Sequence, residues 1–218
     1  MIDWSPLWLS LRVASLATLL AAIAGVALGY LLAEGRFRGR GTLESIITLP
    51  LILPPTVLGY YLLVTLGRQS LIGQTFERVT GAPLVFSWQG AVVAALIPAL
   101  PYVVRTARAA FEDIDAGVRE AARIDGASRV QQFTRISVPL ARRGITAGVA
   151  LAFARALGEF GATLMVAGNI PGRTQTMPIA IYDAVQAGRS DVASLLVLVL
   201  SVVAVVVLLA VSRLGGTA

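Results

Sequence analysis

The chain has 218 residues, of which 56% are hydrophobic and only 14% charged, against about 25% charged in soluble domains. It contains no Cys and no His. Disulfides, Cys/His zinc sites, a Ser-His-Asp triad and any His general base are therefore excluded. All 18 basic residues are Arg, and the net charge of +6 sits in short loops between apolar runs, a pattern that membrane topology explains better than nucleic-acid binding.

Several apolar runs are longer than 18 residues, the length signal for a membrane span. The first is read over residues 6–33. It is too long for the core of a cleavable signal peptide, and no basic region precedes it. Ala21, Ala22, Ala24, Gly25, Ala27 and Gly29 let helix backbones approach closely in lipid. Arg12 lies near one end and can snorkel to the interface. The loop 34–42 carries Arg36, Arg38 and Arg40.

A second span is read over 43–66. Pro50, Pro54 and Pro55 interrupt it, and proline removes a donor and clashes with the preceding turn. Freed backbone groups at membrane depth are tolerated only against protein or a water-filled cavity. Pro54, Pro55 and Thr56 are therefore candidates for a translocation path, with a passive kink as the alternative. Residues 67–87 read as a polar loop. A third span is read over 88–104, with Trp88 at the interface and Pro98 and Pro101 near its end.

A fourth span is read over 139–167. It contains Arg155 and Glu159, four apart and so on one helix face. Ionisable groups inside a membrane are costly and normally face the bundle interior or water. Either they pair with each other, or they help an anion pass or set a gate. Gly158, Gly161 and Gly168 allow this stretch to bend, and Thr163 and Asn169 are further path candidates. A loop with a short helix or re-entrant piece around 177–187 precedes a fifth span over 192–211. The expectation is an all-α integral membrane protein with about five spans in one domain, 1–218.

Five spans place the termini on opposite sides. One side holds Arg36, Arg38, Arg40, eight Arg between 105 and 143, and Arg213; the other holds Arg68, Arg78, Arg173 and Arg189. The positive-inside rule then predicts an external N-terminus and a cytoplasmic C-terminus.

The segment 112–139 reads EDIDAGVREAARIDGASRVQQFTRISVP. Asp115 can cap a helix that Gly126 ends. Ser128 can cap the next, with Gln131 as capping-box partner. Val130, Phe133 and Ile136 give that helix an apolar stripe. The pattern fits either a knob for docking into a partner or an amphipathic linker on the membrane.

Glu120, Ala121, Ala122, Gly126, Ile136, Val138 and Pro139 resemble the cytoplasmic pattern of ABC-importer permeases: EAA, three residues, Gly, nine residues, Ile, one residue, Leu-Pro. The departure is Val138 in place of Leu. The resemblance implies a type I importer permease fold working as a homodimer, with residues 112–137 as the coupling segment. Glu120, Ala121, Ala122, Arg123, Asp125 and Gly126 would dock on an ATPase subunit, and Ile136 and Pro139 would fix the re-entry into the fourth span. It also implies two ATP-binding-cassette subunits, which bind the ATP and Mg, an external substrate-binding protein, and no cofactor or metal on this chain. LPLILPPTVLGYYLLVTLG and ARALGEFGATLMVAGNIPGRTQTMPIAIY look like the molybdate permeases of bacterial and archaeal cytoplasmic membranes, with tungstate, sulfate and thiosulfate permeases close by. From the residues themselves, Pro54, Pro55, Thr56, Arg155, Glu159, Gly161 and Thr163 are the candidates for the path or its gate. Five spans are few to enclose a solute, so a two-fold homodimer with the second and fourth spans along its axis is expected, with the first span packing peripherally.

A phosphate-cradling loop of the Gly-x-x-x-x-Gly-Lys type needs Lys, so ATP hydrolysis must come from another polypeptide. An intramembrane aspartyl enzyme would need two membrane Asp residues, and Asp183 and Asp191 lie near loops. A channel or secondary transporter tolerates broken spans but has no need of the EAA-type segment.

Overall fold

The computed structural model describes residues 3–35 and 37–216; Arg36 lies outside the described residues. In chain order the helices are α1 (Ser5–Glu34), α2 (Arg40–Ile52), α3 (Pro55–Leu66), α4 (Leu71–Thr80), α5 (Trp88–Glu112) and α6 (Ala116–Ile124). Then follow α7 (Arg129–Leu140), α8 (Arg142–Leu157), α9 (Gly161–Ala167), α10 (Met177–Gln186) and α11 (Ser190–Gly216). Three of these, α1, α5 and α11, are each long and apolar enough to cross a membrane, and the bent pairs α2–α3 and α7–α8 bring the total to five if each counts as one span.

The centre of the bundle is α5. Its Ala91, Ala95, Ala99, Val103 and Ala107 are fully buried. Against it lies a stripe of α1: Ala14, Ala17, Ala21, Gly25 and Gly29. A Cβ at Gly25 would come within 2.7 Å of Val103, and one at Gly29 within 3.0 Å of Ala107, so the absent side chains set the helix spacing. Arg12 places its guanidinium 3.7 Å above the Trp88 ring. These three contacts advance together along both helices, so α1 and α5 run parallel. The opposite progression, Gly144 against Ala110 and Gly148 against Thr106, makes α8 antiparallel to α5. The first span is thus a core partner of α5 rather than a peripheral helix. Of the small residues noted in it, Ala21, Gly25 and Gly29 face inward, while Ala24 and Ala27 are exposed.

Several expected boundaries shift. The helix from Trp88 continues past Val104 to Glu112, through Pro98 and Pro101, both fully buried. The stretch 67–87 contains α4, an amphipathic helix whose N-cap Ser70 accepts from Gly73 N–H at 2.9 Å. The fourth segment is not one helix. It bends by 75° between α7 and α8 and breaks again between Leu157 and Gly161.

Candidate coupling segment and translocation path

The segment 112–137 is a helix-turn-helix fixed by its own caps. Asp115 Oδ1 accepts from Gly117 N–H at 2.7 Å and starts α6. At the other end Gly126 has φ +76°, a conformation that favours glycine. Gly126 N–H donates to Arg123 O at 3.1 Å and Ala127 N–H to Ala122 O at 3.0 Å, the paired bonds of a Schellman stop. Ser128 then closes a reciprocal capping box with Gln131, at 3.3 Å and 2.8 Å. Gln132 Nε2 donates back to Ala127 O at 2.8 Å and stiffens the turn. Within α7, residues Gln132–Ser137 form π-helix. This wider turn directly precedes Pro139, which has no N–H to donate.

The segment is seated on the bundle by charge and by rings. Arg119 pairs with Glu34 at the end of α1 and also donates to Phe111 O at 3.4 Å. Phe133 of α7 lies 4.8 Å from the Tyr30 ring and 6.3 Å from that of Phe111. Beside this contact Arg108 bridges Glu44 of α2 at 2.5 Å and Glu112 at 2.8 Å, and Arg40 joins Glu112 at 3.2 Å. Glu120, Ala121, Arg123, Asp125 and Gly126 are exposed, whereas Ala122 is buried. Ile136 is half-buried, and Pro139 is exposed in the last turn of α7. The sequence reading did not single out Ile124, which is 87% exposed at the tip of the turn. Its signal is an isolated branched apolar residue beside a Gly stop.

The path candidates gather at two helix breaks. At the first, Leu53 and Pro54 are both extended, with ψ 137° and 140°, because a residue before proline avoids the helical region. Pro55 then opens α3 at its first position, where a missing N–H costs nothing. The axes of α2 and α3 differ by 116°. Pro50 lies inside α2 and does not end it.

At the second break, Glu159 is almost completely buried. Its Oε1 accepts from Ala162 N–H at 2.8 Å, and its Oε2 lies 2.6 Å from Arg155 Nη1. The carboxylate thus caps the positive end of α9 and pairs with Arg155, whose side chain keeps 28% exposure.

The two breaks touch. A Cβ at Gly161 would fall 2.7 Å from Pro55 Cβ, and one at Gly59 2.8 Å from Met165 Cβ. α3 and α9 are therefore packed backbone to backbone at these glycines. Pro54, Pro55 and Thr56 are exposed, but Gly161 and Thr163 are buried within the chain and do not reach open space. Asn169 is engaged elsewhere, accepting from Gln175 at 2.8 Å and donating to Asp183 at 3.2 Å.

A sequence profile described as the binding-protein-dependent transport system inner membrane component matches residues 25–215. The chain belongs to this family. The permease is 46% identical over 190 residues to the putative molybdenum transport system permease protein YvgM of Bacillus subtilis, covering 87% of this chain and 84% of that one. It is 44% identical over 198 residues to the molybdenum transport system permease protein ModB of Escherichia coli K12, covering 90% and 86%. Among solved structures, an inward-facing form of the MetNI methionine ABC transporter matches with a TM-score of 0.76 at 19% identity, over 96% of this chain and 93% of that one. The permease therefore has the all-α fold of type I ABC importer permeases, and the resemblance carried by its EAA-type segment is a true family relationship.

Proposed function

We propose that this permease is the membrane-spanning subunit of an ATP-binding-cassette importer that moves molybdate into the cytoplasm by alternating access. The single observation carrying the anion assignment is its 44–46% identity, across most of the chain, to molybdenum transport permeases. The geometry supports the ATP-driven mechanism: a stiff, capped turn presents Ala121, Arg123, Ile124, Asp125 and Gly126 outward at one end of the bundle. The ATPase subunits, two per assembly, take that turn into a groove and bind the ATP and Mg. An external substrate-binding protein delivers the anion.

Two copies of the chain enclose the path on a two-fold axis, since five spans are few for enclosing a solute alone. Pro54, Pro55 and Thr56 line it, and Gly161 and Thr163 hold the wall behind them. Arg155 offers an anion a partly exposed cation, and Glu159 keeps that charge balanced. A balanced pair lets a dianion pass without trapping it, because an unpaired cation at membrane depth attracts strongly. The N-terminus lies outside and the C-terminus in the cytoplasm of a multi-pass inner-membrane protein.

The test is ATP hydrolysis by the permease and its ATPase in lipid vesicles with the cognate binding protein, given molybdate, tungstate or sulfate. Stimulation by molybdate supports the assignment. Stimulation by sulfate alone moves the chain to sulfate import and overturns it.

A further inference from the structure

Tyr30 and Glu34 are four residues apart on the last turns of α1, and so on one face. Each grips a different half of the helix-turn-helix. Glu34 pairs with Arg119 of α6 across 85 positions of sequence, with both side chains only about a quarter exposed. Tyr30 packs its ring on Phe133 of α7 and on Phe111 of α5, at 4.8 Å and 5.3 Å. Chain connectivity joins the segment directly to α5 and α8 but not to α1. These side chains supply a noncovalent link to α1.

We infer that Glu34 and Arg119 are positioning residues that transmit docking movements to α1, so that α1 moves with the coupling segment. The inference rests on the proposed docking of that segment on the ATPase. A pull on α6 acts on Arg119, one residue before Glu120, and reaches Glu34 without passing through the turn at Asp113 and Ile114 that joins α5 to α6. Because α1 lies in close contact with α5 along its small-residue stripe, the pull is then shared by the two parallel helices at the centre of the bundle. Tyr30 and Phe133 keep the other half of the turn in register, so α6 cannot swing away from α7 while the load passes.

The experiment uses the assembled permease, ATPase and binding protein in vesicles, and measures anion imported per ATP hydrolysed. Glu34→Arg and Arg119→Glu each place like charges together. Each is expected to lower that ratio at least about fivefold, the factor expected of a coupling term of about 1 kcal/mol, while ATPase association is retained. The exchanged pair Glu34→Arg with Arg119→Glu rebuilds the ion pair and is expected to restore the ratio, and the ATPase association retained by each single variant separates uncoupling from loss of folding. Singles that leave the ratio unchanged, or a double variant no better than the singles, overturn the inference. Ala121→Trp separates this from the docking reading: if it too leaves both ATPase association and the ratio unchanged, the docking reading fails and the inference with it.

Discussion

Gly126 separates a demand made by the chain from a demand made by its partner. The backbone there has φ +76°, and a Cβ built on it meets nothing within 4 Å. Gly126→Ala therefore carries only the left-handed penalty of an L-residue, about 1 kcal/mol, or about fivefold in the population of the formed turn. Gly126→Asn carries less, because Asn tolerates this region. Gly126→Trp has a backbone cost like that of Ala, and its Cβ likewise meets nothing within 4 Å. Any loss beyond the Ala value must come from a molecule outside the chain. The assay is anion uptake and ATP hydrolysis by the complete importer in vesicles, with permease content measured in the same preparation. Uptake by Asn and Ala variants should fall modestly and in that order, while the Trp variant should assemble in the membrane yet lose uptake by more than tenfold. Equal uptake by Trp and Ala variants would refute the idea that this turn enters a partner's groove.

Breaking the Arg155–Glu159 pair from either side should not be symmetrical. Arg155→Ala strands a buried carboxylate and should destabilise the permease by about 3–5 kcal/mol; Glu159→Gln still accepts from Ala162 N–H and should cost less, as thermal unfolding in detergent would show. Gly148→Ala drives a Cβ into Thr106 Oγ1, an overpacking of about 1–3 kcal/mol, and Thr106→Ala in the same chain should recover part of it in that same unfolding assay. Asp115→Ala and Ser128→Ala each remove a helix cap of about 1 kcal/mol, and amide exchange should quicken in α6 for the first and in α7 for the second, with α5 unchanged.

The parts legible in the sequence are those governed by neighbours a few residues away. Asp115, Gly126 and the Ser128–Gln131 box act through bonds to adjacent backbone, so residue type and spacing suffice. Helical spacing predicts the Arg155–Glu159 contact, and the pair does form, but Glu159 lies past the end of α8 in the break before α9, so nearness in the chain rather than one continuous helix face joins them. What the sequence could not supply is the choice of distant partner. The small residues of α1 announce close packing, but nothing in them says that the partner is α5. The tandem prolines announce a break, but that Pro55 rests on Gly161 depends on two segments a hundred residues apart. The helix α4 is hard to read from sequence because Gly73, Gln74, Thr75, Glu77, Arg78 and Thr80 outnumber its apolar positions Leu71, Ile72, Phe76 and Val79, so the stretch reads as polar loop. Thr163 looked available to an anion by composition, and only the packing of α9 against α3 and α5 shows it enclosed.

The central claim is that this chain forms the path of an ATP-driven molybdate importer. The most direct measurement is accumulation of molybdate inside sealed vesicles that carry the permease with its ATPase, given the binding protein outside and ATP inside. ATP-dependent accumulation that disappears when the ATPase is omitted, and that excess sulfate does not suppress, is the predicted result. Accumulation without the ATPase, or none with every component present, would contradict the account.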